Sequence, residues 1–548
     1  MAPPGQAEPV SLDKGRTPPA PPPAGTAGLR RHVGTVGLFT MASRVLGLVR
    51  EWLMAHFVGA GLASSAFYVA FAIPNFARRL FGEGALSSAF VPVFKGLAEN
   101  GRMDAARRLV RAVSTMAWLM LGAAVLLAML AVSGALAFAP DMPERAAVTL
   151  RLLRVMLPYA VFICAAAFGM GVLNALGRFA AAAFAPCLLN LVWIGTLLAI
   201  LFFPGLALFD RVRILSWAVL AAGALQMAFL LRCARRRGVP LVPSREGWRD
   251  EATRLVWRNT ATAIVGAGAV QINAFLDQVL ALYAAEWAPS AIAYADRLME
   301  LPLALFGTAF GTVLLPSFAG RFAKGDQDGA RAALRQGIRD MMMLMLPSAA
   351  GLAVLAPDVT AALFEHGAFG PESTTRVARA VAAYAAGLAF FGLAKALAPW
   401  FHAQNDMKTP LRVSVRMVFA NFALNLLSVL CLPVEWRHVG IAGATVVSSA
   451  ASCAWLLALA RKRNGPLGFA ALLRPLARIA LAAAAMGGVL LVAAPQVARL
   501  LPGETMKLRL LRIALEVPLG GAVYFAALAL LLPDAAAAVR SRFARRRG

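Results

Sequence analysis

The sequence predicts an all-α polytopic membrane protein with fourteen transmembrane helices. Its 548 residues are 60% hydrophobic and 15% charged, with a mean hydropathy of +0.69, whereas soluble domains are about 45–50% apolar and about 25% charged. Apolar runs of about 20 residues or more, long enough to cross a bilayer as helices, recur from Gly34 to near the C-terminus. Most Lys and Arg residues lie between these runs.

The charges of the connecting segments orient the predicted spans. The spans have approximate limits of 34–58, 65–94, 112–139, 148–176, 180–204, 213–232, 254–285, 290–319, 338–357, 376–402, 410–432, 438–460, 472–494 and 508–532. Basic segments, such as 232–254 and 321–339, alternate with weakly charged or acidic ones, such as DMPE and LPGET. The positive-inside rule assigns the basic set to the cytoplasm. Because the number of spans is even, both termini are expected to be cytoplasmic.

The overall charge and the cysteines exclude other classes of protein. A net charge of +27 would suit a nucleic-acid-binding protein, but no such motif accompanies it, and the positive-inside rule with anionic lipid headgroups accounts for the basic loops. The five cysteines lack paired spacing and therefore predict neither disulfides nor a metal site. We expect no nucleic-acid partner.

The first 32 residues predict a disordered, Pro- and Ala-rich cytoplasmic tail. The stretch PPAPPPAGTAG has few large apolar side chains, so it cannot form a packed core. The tail also lacks the basic start, apolar run and cleavage site of a signal peptide, so the first span is expected to be retained.

An internal repeat divides the rest of the chain. The segment Pro92–Arg107 (PVFKGLAENGRMDAAR) aligns with Pro316–Arg331 (PSFAGRFAKGDQDGAR), and the same separation pairs Pro186 with Pro410. Both copies begin on the same side of the membrane, which predicts two parallel six-helix lobes around a central cavity. The expected boundaries are 33–231 and 254–463 for the lobes, 232–253 for a cytoplasmic linker with a surface helix, and 464–548 for two extra helices and a basic cytoplasmic tail.

The extra helices, near 472–494 and 508–532, are rich in Ala, Leu and Val. We expect them to carry almost no charge and to form an apolar groove for a lipid tail. The alternative is simple packing against the second lobe.

Charged residues near the first two spans form the candidate substrate site. Arg44 and Glu51 are seven residues apart, so they share a helix face, and Arg50 lies beside Glu51. Each charge at mid-membrane costs about 2.5–3.5 kcal/mol unless it faces a protein-lined or aqueous cavity. Arginines such as these and Arg78 match phosphate oxygens with a rigid fork of donors, which predicts a phosphate or pyrophosphate ligand. Alternatively, Arg78 marks a helix end and Arg50 pairs with Glu51 for structure alone.

The eighth predicted span supplies a second group of charges, and three further spans supply a polar set. Arg297 and Glu300 share a face one turn apart, beside Asp296; the alternative is a charge pair at a helix end. The polar set offers oxygen ligands suited to a hard cation such as sodium. An equal alternative is that the buried amides of this set only bridge helices. The members of the set are Asp277, Asn421, Asn425 and Thr445. Lys395 and Arg416 could add to the positive field of the cavity or extend to an interface.

Several motifs resemble one family. The segments SRVLGLVRE, IPNFARRLFGEGALSSAFVP, YADRLMELP, LLPSFA and LAPWFHAQNDMKTP resemble the lipid II flippases of the MurJ (MviN) family, within the superfamily of multidrug and oligosaccharidyl-lipid exporters. The resemblance implies that Arg297 lies opposite Arg50 and Glu51 in a central cavity. Glu51 stands where the family often has Asp, and Ser65 stands at a position that is acidic in the family.

The resemblance implies a flippase that moves the peptidoglycan precursor lipid II, an undecaprenyl-pyrophosphate-linked disaccharide-peptide, from the inner to the outer leaflet of the bacterial cytoplasmic membrane by alternating access. A sodium ion or the membrane potential is the expected driving force, with no cofactor, and the expected partners are membrane lipids and the cell wall synthesis machinery. The alternatives are an exporter of another lipid-linked oligosaccharide or of drugs, and an enzyme or scaffold acting on the same lipids. Short loops leave little room for a catalytic constellation.

Overall fold

The chain folds as a bundle of helices. The computed structural model describes residues 26–533, with side chains except at 26–34, 82–84, 265–267, 269–270, 306–309 and 311–312. Within that range there are eighteen α-helices and no β-strand. The predicted terminal tails fall largely outside it.

The helices are α1 (Thr26–Val58), α2 (Leu62–Ala77), α3 (Leu86–Glu99), α4 (Met103–Phe138), α5 (Glu144–Met156), α6 (Tyr159–Ala175), α7 (Phe179–Ile200), α8 (Leu208–Arg235), α9 (Glu251–Ala284), α10 (Ala288–Pro302), α11 (Thr308–Ala323), α12 (Gln327–Val354), α13 (Ala356–Phe364), α14 (Pro371–His402), α15 (Lys408–Cys431), α16 (Val434–Asn464), α17 (Ala470–Leu500) and α18 (Met506–Leu531). Two π-helical segments, Arg78–Ala85 and Leu303–Gly307, join α2 to α3 and α10 to α11.

The fold class of an all-helical membrane protein is confirmed. Among the described residues, nine helices are long and apolar enough to cross a membrane, and ten if α5 and α6, bent by 46° at their junction, form one span. The other four predicted spans fall on α1, on α2 with α3, on α9, and on α10 with α11. These four carry all seven predicted substrate residues and Asp277. Charge is therefore concentrated in the helices that resemble simple apolar spans least.

The linker between the two repeats contains no helix, so the predicted surface helix is wrong. Helix α8 ends at Arg235 and α9 begins at Glu251. Pro240 and Pro243 lack the N–H that a helix needs, and the intervening chain is held by other contacts. The Ser244 backbone N–H donates to Thr115 Oγ1 over 2.9 Å, and Arg107 Nε donates to the Gly238 carbonyl over 2.8 Å.

The internal repeat extends to local structure. Helix α3 ends and α4 begins at the positions that align with the end of α11 and the start of α12. The aligned glycines Gly101 and Gly325 both adopt left-handed backbone, with φ of 73° and 72°, which glycine adopts without steric cost. The aligned pairs Asp104–Arg107 and Asp328–Arg331 form salt bridges of 3.2 and 2.9 Å. Both copies therefore build the same helix–turn–helix corner.

Helices α2 and α10, one from each repeat, cross through small polar and aromatic contacts. Ser65 Oγ donates to Ser290 Oγ over 3.0 Å and accepts from the Ser290 backbone N–H over 3.2 Å. One turn further, the rings of Tyr68 and Tyr294 meet edge to face with centroids 5.8 Å apart. Ser65, at the position that is acidic in the resembled family, thus joins the two repeats.

Helices α17 and α18 pack against each other and against α12 and α13. Their apolar contact includes Ile479, Met486, Leu490, Tyr524 and Leu528, all buried. The Tyr524 hydroxyl donates to the Met343 carbonyl of α12 over 2.7 Å. This arrangement matches the alternative of packing against the second repeat, and the tail groove stays a prediction.

The expectation that these two helices carry almost no charge is wrong for both, since the span predicted at 472–494 contains Arg474 and Arg478 and the span predicted at 508–532, on α18, contains three charged residues. Arg509, Arg512 and Glu516 lie within it and are buried. Arg512 Nη2 donates to the Leu501 and Gly503 carbonyls over 2.8 and 2.7 Å. These carbonyls follow the end of α17, where backbone acceptors lack intrahelical partners. The charge of Arg512 is tolerated because this side chain completes hydrogen bonds that an apolar side chain would leave open.

One end of the bundle is closed by a contact between the end of α1 and the loop 365–370, which we term the α1–loop contact. The Ala368 backbone N–H donates to the His56 carbonyl over 2.9 Å, and the His366 ring packs against Trp52 with centroids 4.5 Å apart. Burial lowers the pKa of His366, so the imidazole stays neutral near pH 7. Arg509 Nη2 of α18 pairs with Glu365 Oε1 over 2.8 Å and thereby ties the loop to α18.

Gly367→Ala should loosen the α1–loop contact, whereas Gly370→Ala should not. Gly367 has φ of +61°, and a Cβ there would lie 2.4 Å from the His56 carbonyl oxygen. At Gly370 the φ is −89° and a Cβ would meet nothing within 4 Å. We expect a loss of about 1 kcal/mol or more for Gly367→Ala alone, measured as a lower melting temperature of the purified protein in detergent. Equal melting temperatures for both variants would contradict the contact.

Candidate functional site

A polar cavity of about 440 Å³ lies between helices of both repeats. Its walls come from α1, α7, α10, the π-helical segment after α10, and α14. The lining residues are Ser43, Arg44, Gly47, Leu48, Arg50, Glu51, Asn190, Arg297, Glu300, Leu301, Leu303, Ala304 and Lys395. Five of the seven predicted substrate residues therefore meet in one cavity.

The α1 wall follows from helical periodicity. Arg44, Gly47, Leu48 and Glu51 are spaced by three and four residues, so they share one face of α1, and all four line the cavity. Helix α7 passes close to this face, since a Cβ at Gly47 would make an ordinary contact of 4.0 Å with Asn190 Nδ2. The sequence prediction of a shared Arg44–Glu51 face is thus reproduced by the geometry.

The Glu51 carboxylate is the centre of the site. Its side chain is only 3% exposed, and it accepts hydrogen bonds from Arg50 Nη2 and, over 2.6 Å, from the Tyr68 hydroxyl. Arg297 Nε lies 3.5 Å from Glu51 Oε1. A buried carboxylate requires such compensation, since leaving a charge unpaired is strongly destabilising. Glu51 thereby ties α1 to α2 and to α10.

Arg50 is held on three sides. Its Nη1 donates to Asn190 Oδ1 over 3.1 Å, and Asn190 Nδ2 in turn donates to the Ser43 carbonyl over 3.0 Å. The guanidinium carbon lies 4.5 Å from the centroid of the Trp193 ring, a cation–π distance. Arg50 is therefore a fixed, buried cation at the cavity wall.

The Arg297 side chain is more exposed to solvent than that of Arg50. It is 43% exposed, although it pairs with Glu300 Oε2 over 3.0 Å. Arg44 and Lys395 are also exposed and line the same cavity. The lining contains four cationic side chains (Arg44, Arg50, Arg297 and Lys395) and two carboxylates (Glu51 and Glu300), so the cavity carries an excess of positive charge.

Arg78 and Asp296 are placed outside the lining of this cavity. Arg78 Nε donates to Asn75 Oδ1 over 2.9 Å. Asp296 lines a neighbouring cavity of about 150 Å³, together with Arg79 and Arg297. Arg297 borders both cavities, so it stands between the α1 side and the α2–α9 side of the site.

Three residues of the site were missed by sequence reasoning. Tyr68 and Trp193 resemble ordinary apolar positions of a span, and only the folded chain brings them to Glu51 and Arg50. Asn190 did carry a signal, because it is an amide within the apolar run that becomes α7, where an unpaired polar group would be costly.

The second polar set also converges, on α9, α15 and α16. Asn425 Nδ2 donates to Asp277 Oδ1 over 2.6 Å and lies 2.8 Å from the Asn421 side-chain amide. Thr445 Oγ1 donates to Asp277 Oδ2 over 3.3 Å, and Asn273 Nδ2 lies 3.4 Å from the same oxygen. Asp277, Asn421 and Asn425 are buried. The four predicted residues are thus one cluster, which Asn273 joins.

One side-chain oxygen of this cluster lacks a hydrogen-bond partner among the residues described. Within the described part of the chain, Asn425 Oδ1 is buried and receives no hydrogen bond, which is unusual for a buried acceptor. No group of three His, Cys, Asp or Glu side chains suited to a metal occurs among the described residues. The oxygen donors present therefore fit a weakly bound hard cation better than a transition metal.

Comparison with known proteins gives a consistent result. The family model described as "Lipid II flippase MurJ" matches residues 54–509. A probable lipid II flippase MurJ of Rhizobium tropici is 36% identical over 498 residues, which cover 90% of this chain and 92% of the relative. A lipid II flippase MurJ of Burkholderia cenocepacia is 36% identical over 452 residues, covering 80% of this chain and 84% of the relative.

Solved structures share the fold. A lipid II flippase MurJ in an inward closed conformation matches with a TM-score of 0.73 at 22% identity, covering 91% of this chain and 99% of that one. An inward-facing multidrug resistance MATE transporter of the MOP superfamily matches with a TM-score of 0.64 at 15% identity, covering 78% and 95%.

The family model spans most of the chain, and both relatives exceed 30% identity over most of their length. The chain therefore belongs to the MurJ lipid II flippase family.

Proposed function

We propose that this protein translocates lipid II from the inner to the outer leaflet of the bacterial cytoplasmic membrane, and that the polar cavity binds the pyrophosphate of its substrate. The protein is a transporter, not an enzyme. The observation that carries the binding proposal is the positive cavity between the repeats, in which Arg44, Arg297 and Lys395 keep exposed cationic groups.

The energetics of charge in a membrane support this assignment. An arginine at bilayer depth is costly unless it faces an aqueous cavity or a partner. The two Nη groups of Arg50 already donate to Asn190 and Glu51, so its main role is to position Glu51. Arg297 retains free surface beyond its bond to Glu300, so its remaining donors are available for phosphate oxygens.

The position of the cavity relative to the α1–loop contact supports alternating access between two parallel lobes. The lining extends from Glu51 towards Ser43, away from the α1–loop contact. That contact closes the end of the bundle with weakly charged loops, and the positive-inside rule assigns the opposite, basic end to the cytoplasm. The cavity would then receive substrate from the cytoplasmic side, and breaking the α1–loop contact would open it outwards.

Hinges for such a change are present in both repeats. The π-helical segments Arg78–Ala85 and Leu303–Gly307 interrupt the helices that cross at Ser65 and Ser290. Pro74 and Pro302 precede them, and π-turns and prolines are the usual causes of helix bending. Export of cationic drugs, an alternative suggested by the shared fold, is disfavoured because the cavity is itself cationic.

We further propose that Asp277, Asn421, Asn425 and Thr445 hold a sodium ion that contributes to the driving force. The buried Asn425 Oδ1 supports this, since a cation would supply the partner that it lacks. Asn273 Oδ1, 3.2 Å from the Asn421 side-chain amide, would be a fifth oxygen ligand, although one carboxylate alone makes a weak site.

Arg297→Ala should abolish most transport of lipid II by the reconstituted protein. Loss of a charged hydrogen-bond donor set is worth about 1.5–3 kcal/mol, or about 10- to 100-fold in substrate affinity. Arg213→Ala is the matched control, because Arg213 pairs with Asp210 three residues away over 2.9 Å, outside the cavity lining. Full activity of Arg297→Ala, or equal loss in both variants, would refute the cavity assignment.

Arg50→Ala should also abolish transport, because Glu51 would lose its nearest cation. Arg50→Lys should be impaired as well, since a lysine cannot reach Glu51 and Asn190 with one planar fork. The measurement is lipid II translocation together with the melting temperature, which separates a transport defect from unfolding. A fully active Arg50→Lys protein would show that the geometry of the guanidinium is not needed.

Asp277→Ala should remove any stabilisation of the protein by sodium and any sodium dependence of transport, while lipid II binding remains. The readout is the melting temperature in sodium chloride against potassium chloride, followed by transport with the sodium gradient varied. Asp340→Ala is a control for loss of a carboxylate that is outside the cluster and bonded to Gln336. If Asp277→Ala and the wild type respond equally to sodium, the cluster only bridges helices.

A further inference from the structure

A second basic pocket lies on the surface of the bundle, between α15 and α16. Its volume is about 400 Å³, and its lining includes Arg412 and Arg416 of α15 with Trp455, Lys462 and Arg463 of α16. None of these residues lines the polar cavity. The alternative in which Arg416 adds to the cavity's positive field is therefore not supported by its position.

The pocket has cationic groups without acidic partners. Within the described residues, one carboxylate, Asp406, pairs with Arg463, and no salt bridge joins a carboxylate to Arg412, Arg416 or Lys462. Hydrogen bonds from Thr409 and Arg463 outweigh the effect of burial and lower the pKa of Asp406, so this pair stays ionised. Three cations remain for an anionic ligand.

One of these cations is already oriented. The Arg416 guanidinium carbon lies 5.1 Å from the centroid of the Trp455 ring. This cation–π contact holds the guanidinium beside the ring, where its N–H groups can still reach a ligand. A planar fork held in this way suits two oxygens of one phosphate group.

The surface below the pocket is apolar and faces outwards. On α15 the face of Arg412 and Arg416 continues through Phe419 and Leu430, which are 71% and 70% exposed. On α16, Val447 is exposed, followed by the small exposed side chains Ala451, Ala454 and Ala458. A basic pocket beside an exposed apolar face matches an amphiphile with a charged head and acyl chains. A free phosphate would make no use of the apolar face.

We propose that the α15–α16 pocket binds the phosphodiester headgroup of an anionic phospholipid, with the acyl chains along the exposed face of both helices. The pocket lies where α15 begins and α16 ends, beside the basic segments, so the lipid belongs to the cytoplasmic leaflet in the orientation proposed above. Asn421, Asn425 and Thr445 lie deeper on the same two helices. A bound lipid would brace the helix pair that supports the candidate cation cluster.

Binding of spin-labelled phosphatidylglycerol to the purified protein in detergent tests this proposal. The wild type should prefer it to spin-labelled phosphatidylcholine. The triple variant R412A/R416A/K462A should lose affinity for phosphatidylglycerol by about tenfold or more, since each cation near the surface contributes to anionic lipid binding. Inorganic phosphate at millimolar concentration should not displace the lipid.

The matched control is R235A/R236A/R237A, which removes three exposed cations from the end of α8 and should leave binding unchanged. If the first triple variant does not fold, Arg416→Ala and Arg416→Lys provide single-site versions with a graded loss. Equal binding by both triple variants would overturn the proposal. Displacement by inorganic phosphate alone would also overturn it, because the pocket would then bind a soluble anion.

Discussion

The site depends on one buried carboxylate. Glu51 is almost inaccessible, accepts hydrogen bonds from Arg50 and Tyr68, and forms an ion pair with Arg297; these partners lie on α1, α2 and α10. Such a charge is stable only while its partners remain, and loss of one partner from a buried pair costs about 3–5 kcal/mol. This requirement draws helices of both repeats together, and Arg297 is thereby held at the wall of the cavity while part of its guanidinium stays open.

The repeat explains how such a site arises at the interface. The helices that meet there correspond in the two repeats, since α2 and α10 are each followed by a π-helical segment, and they contact through Ser65 with Ser290 and Tyr68 with Tyr294. The two tyrosines have different polar partners, because Tyr68 donates to Glu51 while the Tyr294 hydroxyl donates to the Gly59 carbonyl over 3.3 Å. One tyrosine therefore supports the binding site and the other supports the closed end, so the two regions share one helix crossing.

The sequence predicted those parts of the structure that depend on periodicity. The face of Arg44 and Glu51 follows from helix geometry, and the position of Arg297 opposite them came from the family resemblance. Asn190 and Trp193 were missed because their contacts with Arg50 cross about 140 residues of chain. The linker helix was predicted wrongly because Pro240 and Pro243 lack the N–H groups that a helix needs. The role of the α18 charges was missed because Arg512 binds carbonyls that follow α17 and Arg509 pairs with Glu365, contacts that only the folded chain brings together.

We expect the cavity organised by Glu51 to hold the pyrophosphate of lipid II. The most direct test is a cryo-electron microscopy structure of the protein in nanodiscs with lipid II bound. Phosphate oxygens should lie at about 2.7–2.9 Å from guanidinium nitrogens of Arg297 or Arg44, with Arg50 still paired to Glu51. Pyrophosphate found elsewhere, for example in the α15–α16 pocket with Arg297 paired only to Glu51 and Glu300, would contradict this expectation.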